Sequence, residues 1–174
     1  MDLFKYTAHE LHEKLVNKEI TAVELTNAVY DRIAAVDEQV NAYISLSKEE
    51  ALAKAAEVDA KIAAGEAIAP LAGIPVVFKD NINIYGQVTS CASKMLQGVE
   101  TVFDAHVTEE LRKEDAVFLG KANMAEFSIG NTTDNSFNGA VHNPWNLNCT
   151  TGGCATAAAV AAGEAVWALA SDTS

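Results

Sequence analysis

The chain has 174 residues, of which 49% are hydrophobic and 21% charged, and its formal net charge at pH 7 is −12. This size and composition predict one globular domain with a substantial core and exclude an intrinsically disordered protein. Because 24 acidic side chains outnumber 12 basic ones, we expect no direct binding to a nucleic-acid backbone.

The cysteines and histidines indicate neither a disulfide framework nor a metal site. The sequence has an odd number of cysteines and no Cys-x-x-Cys pair; the three are Cys91, Cys149 and Cys154. His9 and His12 lie three residues apart on a predicted helix, but no set of further ligands accompanies them. We therefore expect them on a solvated helix face.

The distribution of apolar residues predicts no targeting or membrane segment. The first fifteen residues contain acidic side chains and no long apolar run, unlike a secretory signal. The most apolar tract, 155–169, includes Glu164 and is too short to span a bilayer as a helix. A cytoplasmic protein without membrane attachment is the expectation.

The first third of the chain is predicted to be helical. Three capping patterns predict helix starts, namely Thr7 with Glu10, Thr21 with Glu24, and Ser47 with Glu50. The third helix should end near Gly65, and a short extended segment, 42–46, should precede it. We define residues 1–66 as an N-terminal helical region.

Beyond residue 66, short apolar runs alternate with helical segments. Strands are predicted near residues 75–79, 116–120 and 166–170, with helices over 104–113 and 155–162. Residues 121–124 and 131–145 are predicted as loops. This alternation is typical of an α/β sheet covered by helices. We expect residues 67–174 to form this core and the whole chain to fold as one unit.

Lys79 is the principal candidate for chemistry. It lies near the end of the segment LAGIPVVFKDN, in which a turn precedes a short apolar run typical of a buried strand. At the buried end of a sheet, partial desolvation would disfavour the charged form of Lys79 and let it act as a base. The alternative is a lysine that simply reaches water at a strand end.

A set of segments spread along the chain carries a family resemblance. They are LAGIPVVFKDN around Lys79, SCASKML from Ser90, FDAHVTEEL from Phe103, LGKANMAEF from Leu119, NPWNL from Asn143, AAAVAAGEAVWAL from Ala157 and SDT from Ser171. In this order and spacing they resemble the amidase signature family and, within it, the A subunits of tRNA-dependent amidotransferases. The resemblance covers the whole chain and is specific.

The resemblance implies the N-terminal portion of the amidase signature fold, with N-terminal helices followed by a helix-covered, incomplete mixed sheet. It implies a hydrolase with a Ser–cis-Ser–Lys triad, in which Lys79 deprotonates a bridging serine that activates a nucleophilic serine. Backbone N–H groups of a glycine-rich turn stabilise the oxyanion. In the A subunits this chemistry releases ammonia from glutamine without a cofactor. The implied partners are a B subunit, which uses ATP and Mg²⁺ and binds most of the tRNA, and a C subunit.

The glycine-serine motif departs from the family pattern GGSSGGS. Aligned from NPW upstream, Gly152 and Gly153 match, whereas Cys154 replaces the bridging serine and Ala155 the second serine, and two glycines are missing. Aligned from the alanines downstream, Gly152 falls on the bridging position. Both alignments leave that position without a serine, and the lost glycines remove backbone freedom from the turn.

The segment that begins at Ser171 also departs from the family pattern. The family continues SDTGGS and its last serine is the nucleophile, whereas this sequence reads SDTS. Without a gap, Ser174 matches the first glycine, so we expect the nucleophile to be missing and Asp172 to be solvated. The remaining candidates for lining a substrate site are Gly152, Gly153, Asn123 and Asp172. For Asn123, capping of a helix is the alternative.

Two hypotheses follow. In the first, the chain is a truncated, non-catalytic amidase-signature protein that docks onto a B or C subunit, or onto itself, through an open sheet edge. In the second, it is a residual hydrolase of small amides with Cys154 as nucleophile and Lys79 as base, since a thiol is more nucleophilic than a hydroxyl. The alternative for Cys154 is a small residue that fills a serine-sized space at a helix start.

Overall fold

The computed structural model describes residues 3–172. The expected loss of the nucleophile concerns Thr173 and Ser174, which lie outside the described residues. The helices in this range are α1 (Ala8–Val16), α2 (Ala22–Val40), α3 (Lys48–Ala63), α4 (His106–Lys113) and α5 (Thr156–Ala162). The strands are β1 (Tyr43–Leu46), β2 (Pro75–Lys79), β3 (Val117–Ala122), β4 (His142–Asn143), β5 (Asn146–Thr150) and β6 (Trp167–Leu169). No helix of the described range is long and apolar enough to cross a membrane.

Side-chain caps fix where the first two helices begin. Both predicted capping boxes are present, Thr7 with Glu10 at α1 and Thr21 with Glu24 at α2. Helix α3 also begins at the predicted place, but the predicted cap is wrong because the side chain of Ser47 makes no cap hydrogen bond. The Ser47 hydroxyl instead accepts a hydrogen bond from Gln87 Nε2 at 2.9 Å, which ties the start of α3 to the loop after β2.

The main sheet confirms the predicted α/β architecture with a mixed sheet. Its strand order is β1-β3-β2-β6, with β2 parallel to both β3 and β6 and β1 antiparallel to β3. Strands β2 and β3 are buried along their whole length. Covering on both faces explains why their sequences are continuous apolar runs rather than alternating ones.

The two faces of the sheet pack against separate apolar clusters. Val77 and Leu119 belong to the larger cluster, which includes residues of α1, α2, α3 and α5. Val76, Phe78 and Phe118 belong to the smaller one on the opposite face, where the two phenylalanine rings meet edge to face with centroids 4.7 Å apart. Alternation along each strand thus divides one apolar run between two layers.

Two predicted loops are partly wrong. Lys121 and Ala122 continue β3, because their backbones pair with β1 on one side and β2 on the other. Within and after the predicted 131–145 loop, β4 and β5 form an antiparallel hairpin. The sequence did not indicate this hairpin because β5, Asn-Leu-Asn-Cys-Thr, is exposed along its length and lacks an apolar face.

Gly120 allows β1 to approach β3 closely. The register of β2 against β3 shifts between Val76 and Val77, so that Leu119 is bulged and Gly120 pairs with Val77. Gly120 has φ +149°, and a Cβ at this position would lie 2.1 Å from the carbonyl oxygen of Ser45 in β1. A side chain is therefore incompatible with this strand pairing.

We predict that Gly120→Ala lowers the free energy of unfolding by about 3 kcal/mol or more, through backbone strain and displacement of β1. Gly98→Ala is the matched control, because Gly98 also has positive φ but a Cβ there has open space. Urea denaturation followed by circular dichroism would measure both variants. Equal stability of the two variants would show that β1 does not constrain Gly120.

Glu164 is a fully buried acid between α5 and β6. Neither carboxyl oxygen has a hydrogen-bond partner among residues 3–172. Burial raises the pKa of Glu164 to about 8; Asp37 acts in the same direction and Arg32 opposes it. The folded chain thus holds this side chain as the neutral acid at neutral pH.

This burial predicts that stability falls as the pH rises. In the unfolded chain Glu164 ionises at its ordinary pKa of 4.5, whereas in the folded chain it keeps its proton up to about pH 8. Its contribution to folding is therefore fully present below pH 4.5 and is lost as the pH rises through 8.

Glu164→Gln should remove this pH dependence and raise the melting temperature at about pH 8 but not at about pH 4.5. Thermal melts at a series of pH values would test it. Glu66→Gln, at an exposed glutamate, is the control and should change the melting temperature at neither pH. A stability profile of Glu164→Gln that parallels the unsubstituted chain would contradict the assignment.

Candidate functional site

A cavity of about 530 Å³ lies at the end of β2, where Lys79 leaves the sheet. Besides Lys79, it is lined by residues from three segments, 128–131, 151–157 and 170–172. The last segment follows β6, which runs parallel to β2, so both strands deliver residues to the same edge. In open α/β sheets the carboxyl ends of parallel strands are where ligands usually bind.

Lys79 is 3% exposed, and its hydrogen bonds within the described range go to Ser171. Its Nζ donates to the Ser171 carbonyl oxygen at 2.8 Å and lies 3.1 Å from Ser171 Oγ. Asn81 Nδ2 donates to the same Oγ at 2.8 Å and to Ser128 Oγ at 3.3 Å. Lysine, asparagine and serine side chains thus form a connected polar cluster on the cavity wall.

The predicted glycine turn forms another part of the cavity wall. Gly152 has φ +87°, a conformation that favours glycine, and a Cβ on Gly153 would lie 2.7 Å from the carbonyl oxygen of Gly130. The Gly153 carbonyl accepts a hydrogen bond from Ala125 N at 2.9 Å. Both glycines are therefore needed for the backbone path, and the turn is fixed against the segment after β3.

Cys154 lies on the same cavity as Lys79, but the two side chains are not hydrogen-bonded to each other within residues 3–172. Cys154 Sγ lies 2.9 Å from Thr156 Oγ1, at the start of α5. The neighbouring Ala155 N donates to the Asn123 carbonyl at 2.9 Å, which fixes the backbone on this side. The thiol is thus engaged with the helix start.

Two other candidates occupy different positions. Asp172 is exposed and lines the cavity. Asn123 is not brought to the cavity: it is fully buried, its Oδ1 accepts from Ser136 Oγ at 2.6 Å, and its Nδ2 donates to the Gly139 carbonyl at 3.0 Å. The Asn123 side chain satisfies backbone and loop groups because β3 ends deep in the fold. Its proposed contact with substrate therefore has no support in the geometry.

Asp80, the residue after Lys79, anchors the loop that follows β2. It is buried, and its Oδ2 accepts hydrogen bonds from Ser90 Oγ at 2.6 Å and from Ala92 N at 3.2 Å. Lys121 Nζ lies 3.4 Å from Asp80 Oδ1 and donates to Thr89 Oγ1 at 2.9 Å. Burial lowers the pKa of Lys121 and Asp80 opposes that shift. This network holds the end of β2 in place.

Asn81 and Ser171 were not predicted from the sequence as members of the cluster. Asn81 lies in the turn that follows β2, where strand alternation no longer applies, so no periodic pattern marked it as a partner of Ser171. In the sequence, Ser171 was identified only as the first residue of the SDT segment. Its contact with Lys79 joins positions 92 residues apart, which no local pattern predicts.

Comparison with known proteins identifies this fold. The amidase family profile matches residues 24–174. The A subunit of the glutamyl-tRNA(Gln) amidotransferase of Desulforamulus reducens is 50% identical over 99% of this chain, which spans 36% of that relative's length. The corresponding protein of Clostridium botulinum (strain Kyoto) is also 50% identical over the same shares of both chains.

Solved structures show the same similarity. The peptide amidase of Stenotrophomonas maltophilia is 34% identical with a TM-score of 0.84, over 92% of this chain and 35% of that one. The A subunit of the Thermotoga maritima glutamyl-tRNA(Gln) amidotransferase is also 34% identical, with a TM-score of 0.77, over 97% of this chain and 34% of that one. The chain thus spans about a third of the length of the proteins it matches.

Proposed function

Because this chain belongs to the amidase family, we propose that it forms the lysine-bearing part of an amidase-type site and does not itself release ammonia from glutamine or simple amides. The observation that carries this proposal is the hydrogen bonding of Lys79. Its Nζ is engaged by Ser171, while Cys154, at the bridging position in one alignment, contacts Thr156.

The family's relay requires a lysine that takes a proton from a bridging hydroxyl, which in turn takes one from the nucleophile. Neither Cys154, which lines the cavity, nor its neighbour Ala155 carries a hydroxyl that could act as the bridging group. Proton transfer also requires donor and acceptor within hydrogen-bond distance, and no such contact joins Lys79 to the turn 152–155 among the described residues. These features support loss of the serine relay.

We predict no ammonia release above the blank from glutamine or a simple primary amide, with or without added B and C subunits. A glutamate dehydrogenase-coupled assay would measure it. The Lys79→Ala and Cys154→Ala variants should be indistinguishable from the unsubstituted chain. The full-length relative from Clostridium botulinum, assayed in parallel, serves as the reference amidase.

The second candidate function is hydrolysis of small amides by Cys154 with Lys79 as base. It is favoured by one observation, that both side chains line the same cavity. Ammonia release that disappears in both Lys79→Ala and Cys154→Ala would establish this function and contradict the first proposal. Release that persists in both variants would point to a contaminating amidase.

We further propose that the chain self-associates through the free edge of β6. This strand pairs with β2 on one side and with no strand of residues 3–172 on the other. A groove of about 540 Å³ runs beside it, lined in part by Val160, Ala161 and Trp167. An unpaired edge flanked by apolar side chains favours strand addition by a second copy.

Light scattering coupled to size exclusion should show a mass that rises with concentration for the unsubstituted chain. Val160→Lys should restore a monomer, because it places a charge in the groove. Val16→Lys, at a similarly exposed valine on α1, is the control and should associate normally. A monomer at every concentration would contradict self-association, and binding to B or C subunits that Val160→Lys abolishes would assign the edge to them.

A further inference from the structure

We propose that Ser171 is a nucleophile with Lys79 as its base, so that the cavity is acylated by activated esters such as aryl acetates. This goes beyond the function proposed above, which concerns amides and the family's serine relay. The polar cluster of Lys79, Asn81 and Ser171 carries the inference.

The separation of Ser171 Oγ from Lys79 Nζ, 3.1 Å, is within hydrogen-bond distance for proton transfer. A neutral lysine has two N–H donors and one lone pair. In the structure Nζ donates to the Ser171 carbonyl at 2.8 Å and to Ser171 Oγ at 3.1 Å. Once Nζ has given up a proton, its lone pair can accept the Ser171 hydroxyl proton over the same distance. This is the arrangement that serine-lysine nucleophiles require.

Asn81 orients the hydroxyl. Its Nδ2 donates to Ser171 Oγ at 2.8 Å and so occupies one oxygen lone pair. With its proton directed to Lys79, the oxygen keeps a second lone pair for attack on a carbonyl carbon. The three side chains therefore define both the proton path and the attacking atom.

The cavity provides space and a polar contact for an acyl group. Its volume of about 530 Å³ suits a small ester. Polar residues that line the cavity, among them Asn131 and Thr151, are available to contact an acyl group.

In the proposed step, Ser171 Oγ attacks the ester carbonyl carbon and forms a new C–O bond while the carbonyl π electrons move to oxygen. Lys79 takes the hydroxyl proton. Return of those electrons breaks the bond to the aryloxide, which leaves with its electron pair and gives an acetylated Ser171. An aryloxide departs without prior protonation, whereas an amine must be protonated first. An activated aryl ester therefore reacts much faster than an amide.

The test uses p-nitrophenyl acetate and the full chain. Intact mass should show one acetyl group added, and peptide mapping should place it on Ser171, a result that needs no variant. Hydroxylamine should remove the adduct, because it cleaves esters but not the amide that acetylated lysine would give. An adduct on Cys154, on Lys79 or spread over surface lysines would overturn the proposal.

Variants then test the roles of the cluster. Ser171→Ala should abolish acetylation of this segment, and Lys79→Met should slow it at least about tenfold. Ser45→Ala, at an exposed serine of β1, should react like the unsubstituted chain. Circular dichroism would confirm that each variant is folded. Acetylation at the unsubstituted rate in Lys79→Met would exclude the lysine as base. Because this test reads ester acylation and the earlier one reads ammonia, each proposal can fail without the other.

Discussion

The hydrogen bond from the Lys79 side-chain nitrogen to the Ser171 carbonyl joins the two strand ends on which the cavity depends. Because Lys79 is only 3% exposed, its side-chain nitrogen depends largely on acceptors within the fold. Ser171 supplies two of them, one from the backbone and one from its hydroxyl. The segment after β6 is thereby held beside the end of β2, and the glycine turn lines the same cavity.

The residues around Lys79 divide into a group that bonds to the cavity wall and a group that anchors the loop after β2. Lys79 and Asn81 bond to Ser171 on the cavity wall, whereas Asp80 bonds to the loop after β2 and faces Lys121. Breaking such a buried pair leaves an uncompensated charge, which is costly. The Asp80–Lys121 pair can therefore hold the strand end in place while Lys79 bonds to Ser171 on the cavity wall.

In the turn that contains Cys154, the backbone path and the side-chain contacts have separate causes. Gly152 and Gly153 retain the backbone path that a close approach to Gly130 demands. The side chain that follows them is a thiol that contacts the helix start, not the lysine. The backbone of the turn is thus set by the packing of its glycines, independently of the side chain that follows them.

The sequence by itself determined the capping boxes of α1 and α2, the buried strands β2 and β3, the mixed α/β class and the placement of Lys79 at a sheet end. These features follow from local periodicity, local hydrogen bonds and motif similarity. The sequence did not reveal the exposed β4–β5 hairpin, the structural role of Asn123 or the cap that Ser47 does not make. Only the tertiary structure decided that Ser171, rather than Cys154, is hydrogen-bonded to Lys79. The physical reason is that parallel strand pairing brings together residues far apart in sequence, and hydrogen bonds between them leave no periodic trace along the chain.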